Sequence, residues 1–125
     1  IPRENKKVLV ANKERLYGAV KRVSIFSNKM TQQVSITAEK NLVSINTEDP
    51  ETSSSGQEEM EGSYLEEALT IGFNANYLKD ILSHIDGEKV VMKMDTPIGA
   101  TLFEEENQDK QNEITMLLMP IRLNN

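Results

Sequence analysis

The side chains able to do chemistry are few, and their spacing narrows them further. The chain has 125 residues, no cysteine and one histidine, His84. Without cysteine there is no disulfide framework, no thiolate metal site and no thiol nucleophile. A single imidazole rules out a multi-histidine metal centre. His84 follows Ser83, but adjacent residues on a helix do not face each other, and no Ser–His–Asp constellation is supported by spacing. His84 reads as a surface residue near a helix C-terminus, where a cation suits the helix dipole. Eight carboxylates (Glu48, Asp49, Glu51, Glu58, Glu59, Glu61, Glu66 and Glu67) crowd residues 48–67 with no lysine or arginine among them. They fall in a serine-rich stretch and on strand edges, where acids serve solubility and edge protection. No spacing matches a calcium loop, and no glycine-rich loop would hold phosphates. The expectation is a protein with no catalytic residue, no metal and no cofactor.

One stretch still asks for a reason. The chain stops on "TMLLMPIRLNN", with four apolar side chains from Met116 to Met119, then Pro120, then Arg122 between Ile121 and Leu123. Chain ends usually fray and are usually polar. Charge is also unevenly placed. The net charge is −6, yet residues 1–40 carry nine basic side chains against three acidic ones. Such asymmetry leaves one basic surface on an acidic protein, and solvated surface charge is its simplest reading.

The elements that must position these residues follow from periodicity. "NKERLYGAVKRVSIFSN" (12–28) places Leu16, Ala19, Val20, Val23 and Phe26 at helical spacing, with Asn12 as N-cap and Asn28 as the stop. "VSITAEKNLVSINT" (34–47) reads as a hairpin turning at Glu39–Asn41. "DPETSSSGQ" (49–57) is a loop by composition, and "EEMEGSYL" and "ALTIGF" flank a turn at Glu66–Glu67. "NANYLKDILSHID" (74–86) is a second helix with Asn74 as N-cap, Leu78, Ile81, Leu82 and Ile85 inward, and Gly87 at its end. "KVVMKMD", "GATLFEE" and "EITMLLMPIR" are three closing strands, joined by "TPIG" and "NQDKQN". With a first strand at Lys7–Val10, the order is βα-βββ repeated twice. Two amphipathic helices need a common sheet surface, so an α+β fold is expected: two antiparallel sheets with both helices on one side. A helical wheel turns Glu14, Tyr17, Gly18, Lys21, Arg22 and Ile25 of the first helix away from the core, and Asn76, Lys79, Asp80 and Ser83 of the second. Such faces suit loose phosphate contact better than base reading.

Length fits a single domain spanning 1–125. No apolar run approaches the roughly 20 residues that would span a bilayer. The opening "IPRENKK" lacks methionine and reads as the middle of something longer. The expectation is a soluble, cytoplasmic domain cut from a larger protein.

"VSIFSN", then "IGFNANYLKDIL", then a terminal "MPIRL" resemble the bacterial replicative sliding clamp, the beta subunit of DNA polymerase III, in the last of its three similar domains. The resemblance covers nearly the whole chain. The "GFNxxYL" at 72–78 and the "MPIRL" at 119–123 are its most specific parts. It implies a DNA-clamp-like domain of a head-to-tail homodimeric ring, with helices lining the hole and sheets outside. It implies a non-catalytic processivity factor that slides on duplex DNA without reading sequence. It also implies that the polymerase, the clamp loader and repair proteins are tethered through short linear peptides. By position, the peptide pocket would include Asn74, Tyr77, Ile98, Ala100, Leu117, Leu118, Met119, Pro120, Ile121, Arg122 and Leu123. The physics suits this: an apolar groove needs a few placed polar groups, proline breaks the ladder, and the guanidinium is a rigid donor fork. Alternate residues of the terminal run are expected in the core. Lys13, Lys21, Arg22 and Lys79 would face DNA. Ile25 and Phe26, exposed at the end of the first helix, would lie at the dimer seam. The chain departs from the family where Thr31, beside Met30, replaces a large apolar residue, and where Asn124 and Asn125 follow the "RL". The alternatives are a monomeric peptide-binding module with no ring, and a small enzyme using carboxylates within 48–67.

Overall fold

In the computed structural model of the chain, the described residues are 5–106, 115–121 and 123. Strand β1 (Lys7–Asn12) leads into helix α1 (Lys13–Ser24). Strands β2 (Gln33–Glu39), β3 (Leu42–Asp49), β4 (Ser54–Glu61) and β5 (Leu69–Asn74) follow, then helix α2 (Ala75–Ser83). Strands β6 (Lys89–Met94), β7 (Thr101–Glu105) and β8 (Met116–Leu118) complete the order. One sheet has the order β1-β6-β7-β8 and the other β4-β3-β2-β5, and every strand pairing is antiparallel. The α+β fold with its doubled βα-βββ order is therefore the one periodicity predicts.

Alternation writes the core. Val34, Ile36 and Ala38 on β2, Val43 and Ile45 on β3, and Met92 and Met94 on β6 point inward and are buried, as period-two patterning requires. The helices pack on each other and contribute Leu16, Val20, Val23, Leu78 and Leu82 to the same core. Phe73 of one sheet meets Phe103 of the other edge to face, with ring centroids 6.2 Å apart. Rings of this size stabilise by roughly 1.5–3 kcal/mol each when buried, so this pair is a main tie between the sheets.

Several boundaries differ from the sequence reading, four of them for clear physical reasons or in ways that bear on the site. α1 stops at Ser24, before Asn28. Ser24 Oγ donates to the Lys21 carbonyl at 2.8 Å and Ser27 Oγ to that of Ser24 at 2.7 Å. Phe26 N and Ser27 N make i−3 bonds at 3.0 Å, so the last turn tightens and ends the helix. Asn28 caps the next turn instead, accepting from Met30 N at 2.9 Å and Thr31 N at 3.2 Å. α2 likewise ends at Ser83, and Gly87 (φ +96°) lies in the following turn rather than at the cap. The supposed loop at 49–57 is strand from Ser54 onward, because β3 supplies a full backbone ladder from Asp49↔Ser54 to Leu42↔Glu61 whatever the side chains. The last strand is Met116–Leu118; its expected start at 113–114 and the "NQDKQN" link lie outside the described residues.

Candidate functional site

The terminal strand divides its side chains between core and surface. Leu118 is buried and Met116 packs against the core, while Leu117 and Met119 face outward, Met119 being 61% exposed. β8 pairs with β7 only through Thr101↔Leu118, Leu102↔Leu117 and Phe103↔Met116. After Pro120 the chain leaves that sheet. Ile121 forms an antiparallel bridge with Gly72 of β5, and Ile121 N donates to the Gly72 carbonyl at 2.8 Å. One short segment thus joins the edge of one sheet to the edge of the other.

Other pocket candidates are placed by the start of α2 and by the β6–β7 turn. Asn74 caps α2: its Oδ1 accepts from Asn76 N at 2.9 Å and Tyr77 N at 3.1 Å. Tyr77, in the first turn, is 65% exposed, and Ile98 in the β6–β7 turn is 60% exposed. Ala100 is half-buried, and its carbonyl accepts from Asn5 Nδ2, which also donates to the Lys93 carbonyl, both at 2.9 Å. Tyr77, Ile98, Leu117 and Met119 are four of the exposed large hydrophobics. Pro120, Ile121 and Leu123 are half-buried, and Arg122 lies outside the described residues. Sequence reasoning missed two contributors. Asn5 leaves no sequence signal. Gly72 does: an isolated glycine inside a strand pattern marks close backbone approach.

The basic helix face is less free than its sequence suggests. Arg22 binds Glu58 of β4 with two hydrogen bonds, Nε to Oε2 at 2.7 Å and Nη2 to Oε1 at 2.8 Å. The pairing raises the Arg22 pKa and lowers that of Glu58, the hydrogen bond between them being the main cause of both. Lys13 pairs with Glu14 at 3.1 Å and is mostly covered, Lys79 is half-buried, and Lys21 is exposed. At the end of α1, Ile25 is 74% exposed and Phe26 partly so. They share a shallow hollow of about 350 Å³ with Met30 and Asp49. Met30 therefore sits on the side of Ile25 and Phe26.

Among the described residues, the remaining polar side chains make the following contacts. Ser83 Oγ donates to the Asp80 carbonyl at 2.6 Å and lies 3.4 Å from His84 Nδ1, which is 2.7 Å from that same carbonyl. Glu58 is committed to Arg22, and Asp49 is buried among donors from Asn28, Glu51 and Thr52. Those donors, Asn28 first and then Thr52, hold its carboxyl below the usual carboxylate range. Tyr64 is fully buried and donates to the Glu67 carbonyl. Burial, with Glu66 and Glu67 nearby, pushes its hydroxyl up. Among the described residues, no helix is long and apolar enough to cross a membrane.

Comparison with known proteins identifies the family and the fold. The family described as the DNA polymerase III beta subunit, C-terminal domain, matches residues 1–122. The beta sliding clamp of Pseudomonas aeruginosa is 31% identical over 124 residues, covering 98% of this chain and 32% of the relative. That of Caulobacter vibrioides is 30% identical over 125 residues, with the same shares. A crystal structure of the Pseudomonas aeruginosa sliding clamp bound to griselimycin superposes with a TM-score of 0.92 at 29% identity, covering 98% of this chain and 32% of that one. A Bartonella birtlesii clamp bound to the same compound gives 0.89 at 30%, with the same shares. The chain spans about a third of the length of these relatives. With nearly every residue matched to the family and the fold shared throughout, the chain belongs to the family of C-terminal domains of the DNA polymerase III beta subunit.

Proposed function

We propose that this chain, as one domain over 1–125, is the third domain of a replicative sliding clamp. The whole protein is a non-catalytic processivity factor. As a homodimeric ring it encircles duplex DNA, slides on it without reading sequence, and tethers a polymerase by raising its effective concentration at the primer end. The clamp loader and repair proteins use the same peptide-binding surface, and the protein works in the cytoplasm. Family membership supports the ring. The observation that carries the peptide role is the exposure of four large apolar side chains, Tyr77 at the start of α2, Ile98 in the β6–β7 turn, Leu117 on β8 and Met119 just after it. Large apolar groups left in water beside a few placed polar groups are the makings of a recognition groove.

The test is a peptide bearing a glutamine followed by a leucine–phenylalanine pair. Titrated into the isotope-labelled 125-residue chain, it is expected to shift amide resonances of Tyr77, Ile98 and residues 117–123. The affinity is expected to be low, because the preceding domain supplies the rest of the pocket. Removing residues 119–125 is expected to abolish the shifts. Shifts confined to residues 48–67 would sink the assignment.

A further inference from the structure

Gly72 sits in the middle of β5, an edge strand, and is buried. Its φ is not among the positive ones, so backbone conformation does not demand glycine there. Space does. A Cβ at this position would stand 2.5 Å from Leu123 Cδ2, 2.8 Å from the Ile121 carbonyl oxygen and 3.1 Å from Leu123 Cγ. Two of these atoms belong to one packed side chain and the third to backbone that cannot swing aside. The same residue accepts the 2.8 Å hydrogen bond from Ile121 N and pairs with Ser35 on its other side. The missing side chain therefore forms a slot in the surface of β5, and the terminal segment lies in it.

We infer that Gly72 is the positioning residue of the peptide-binding surface: by seating Ile121 and Leu123 on β5, it fixes where Leu117 and Met119 stand. This rests on the peptide role proposed above. It divides the terminal segment into two parts. Ile121 and Leu123, half-buried against β5, are an anchor. Leu117 and Met119, on the outer side of β8, are the part left for a ligand. Pro120 is the joint between them, since it has no N–H to offer to either sheet. Gly72, which seats this anchor, also lies two residues before Asn74, which caps the helix bearing Tyr77. The terminal segment and the start of α2 are thus both tied to one short piece of β5.

The experiment compares wild type with Gly72→Ala and with the double variant Gly72→Ala/Leu123→Ala, all in the 125-residue chain. Two readouts are followed: hydrogen exchange at the Ile121 amide, and affinity for the same glutamine and leucine–phenylalanine peptide. The single variant is expected to lose at least about tenfold of the Ile121 protection and to weaken the peptide by a similar factor. Amides of the β2–β3 hairpin should stay protected. The double variant, relieved of the nearest contact, is expected to regain part of the Ile121 protection, and does so even where the single variant folds poorly. Undiminished Ile121 protection in Gly72→Ala would overturn the slot. Lost protection with unchanged peptide affinity would overturn the positioning role. Failure of the wild type to bind peptide at all would sink the pocket, while the exchange data would still decide whether Gly72 anchors the terminal segment.

Discussion

Asp49 shows how one buried carboxylate organises two loops. It accepts from Asn28 Nδ2 in the loop after α1, and from Glu51 N and Thr52 Oγ1 in the turn before β4. Its pKa is lowered by those donors. A depressed carboxyl contributes stability that is fully present above its unfolded value, about 3.9, and that is lost as pH falls through the folded value. Asp49→Asn keeps the shape and removes the charge. The variant is therefore expected to melt below wild type at pH 7, and the gap is expected to close as pH drops below about 4. Parallel melting curves across that range, followed by circular dichroism, would show that the carboxylate charge is not what the loops use. Nothing in the sequence marks Asp49 out from its seven acidic neighbours in 48–67, because its role depends on Asn28, which only folding brings near. Asn12 and Asn74 were legible as N-caps for the opposite reason: their partners, Arg15 N and Tyr77 N, lie three residues on.

Among the elements, α1 and β4 hold each other by charge. The helix turns Lys21 and Arg22 outward, as the wheel predicts, but β4 brings Glu58 against Arg22 from 36 residues away. Glu58 neutralises part of the face proposed to lie along DNA. Lightened phosphate contact suits a sliding protein, since each neutralised phosphate adds affinity and steepens its salt dependence. Glu58→Gln in the full-length ring is expected to strengthen retention on duplex DNA at low salt and to steepen its decline with added salt. Unchanged retention in a nitrocellulose filter assay would place this helix face away from DNA. The sequence could not foresee the pair, because β4 was hidden by its composition: Ser54, Ser55 and Gly56 signal a loop, and only the ladder with β3 makes them strand. Helices with clear periodicity were legible, and so was the β2–β3 hairpin. Helix ends were not, because the serines that close α1 act through backbone carbonyls rather than through pattern.

At the scale of the molecule, the end of α1 carries an exposed apolar patch. Ile25 and Phe26 project beside Met30, and the Phe26 ring lies over Gly56, where an added Cβ would come within 2.9 Å of Cδ2. In the proposed ring these residues form the apolar centre of the seam between protomers, and a few central side chains dominate such contacts. Ile25→Ala/Phe26→Ala in the full-length protein is expected to shift dimer to monomer, at a cost of several kcal/mol of association, roughly 2 or more for each central anchor. Sedimentation velocity decides it: a dimer as tight as wild type would put the seam elsewhere. The helical wheel already foretold the exposure of Ile25. The exposure of Tyr77, Ile98, Leu117 and Met119 falls at or beside the two short motifs and the β6–β7 turn that the sequence singled out. What joins the two motifs was not legible, because the bridge from Ile121 to Gly72 links residues that no local pattern relates.

The two sheets also differ in when they can be built. All pairings of the β4-β3-β2-β5 sheet fall within residues 33–74, between strands next to each other in the chain or separated by one hairpin. The other sheet begins with β1, whose partner is β6, so that Lys7 must wait for Met94. On a ribosome, which releases the chain from its N-terminus, the first sheet has every strand it needs while β1 still has none. Long-range pairings of this kind carry the loop-closure entropy that slows folding. Because residues 116–121 close an edge of each sheet, both edges are finished only after every other strand is available.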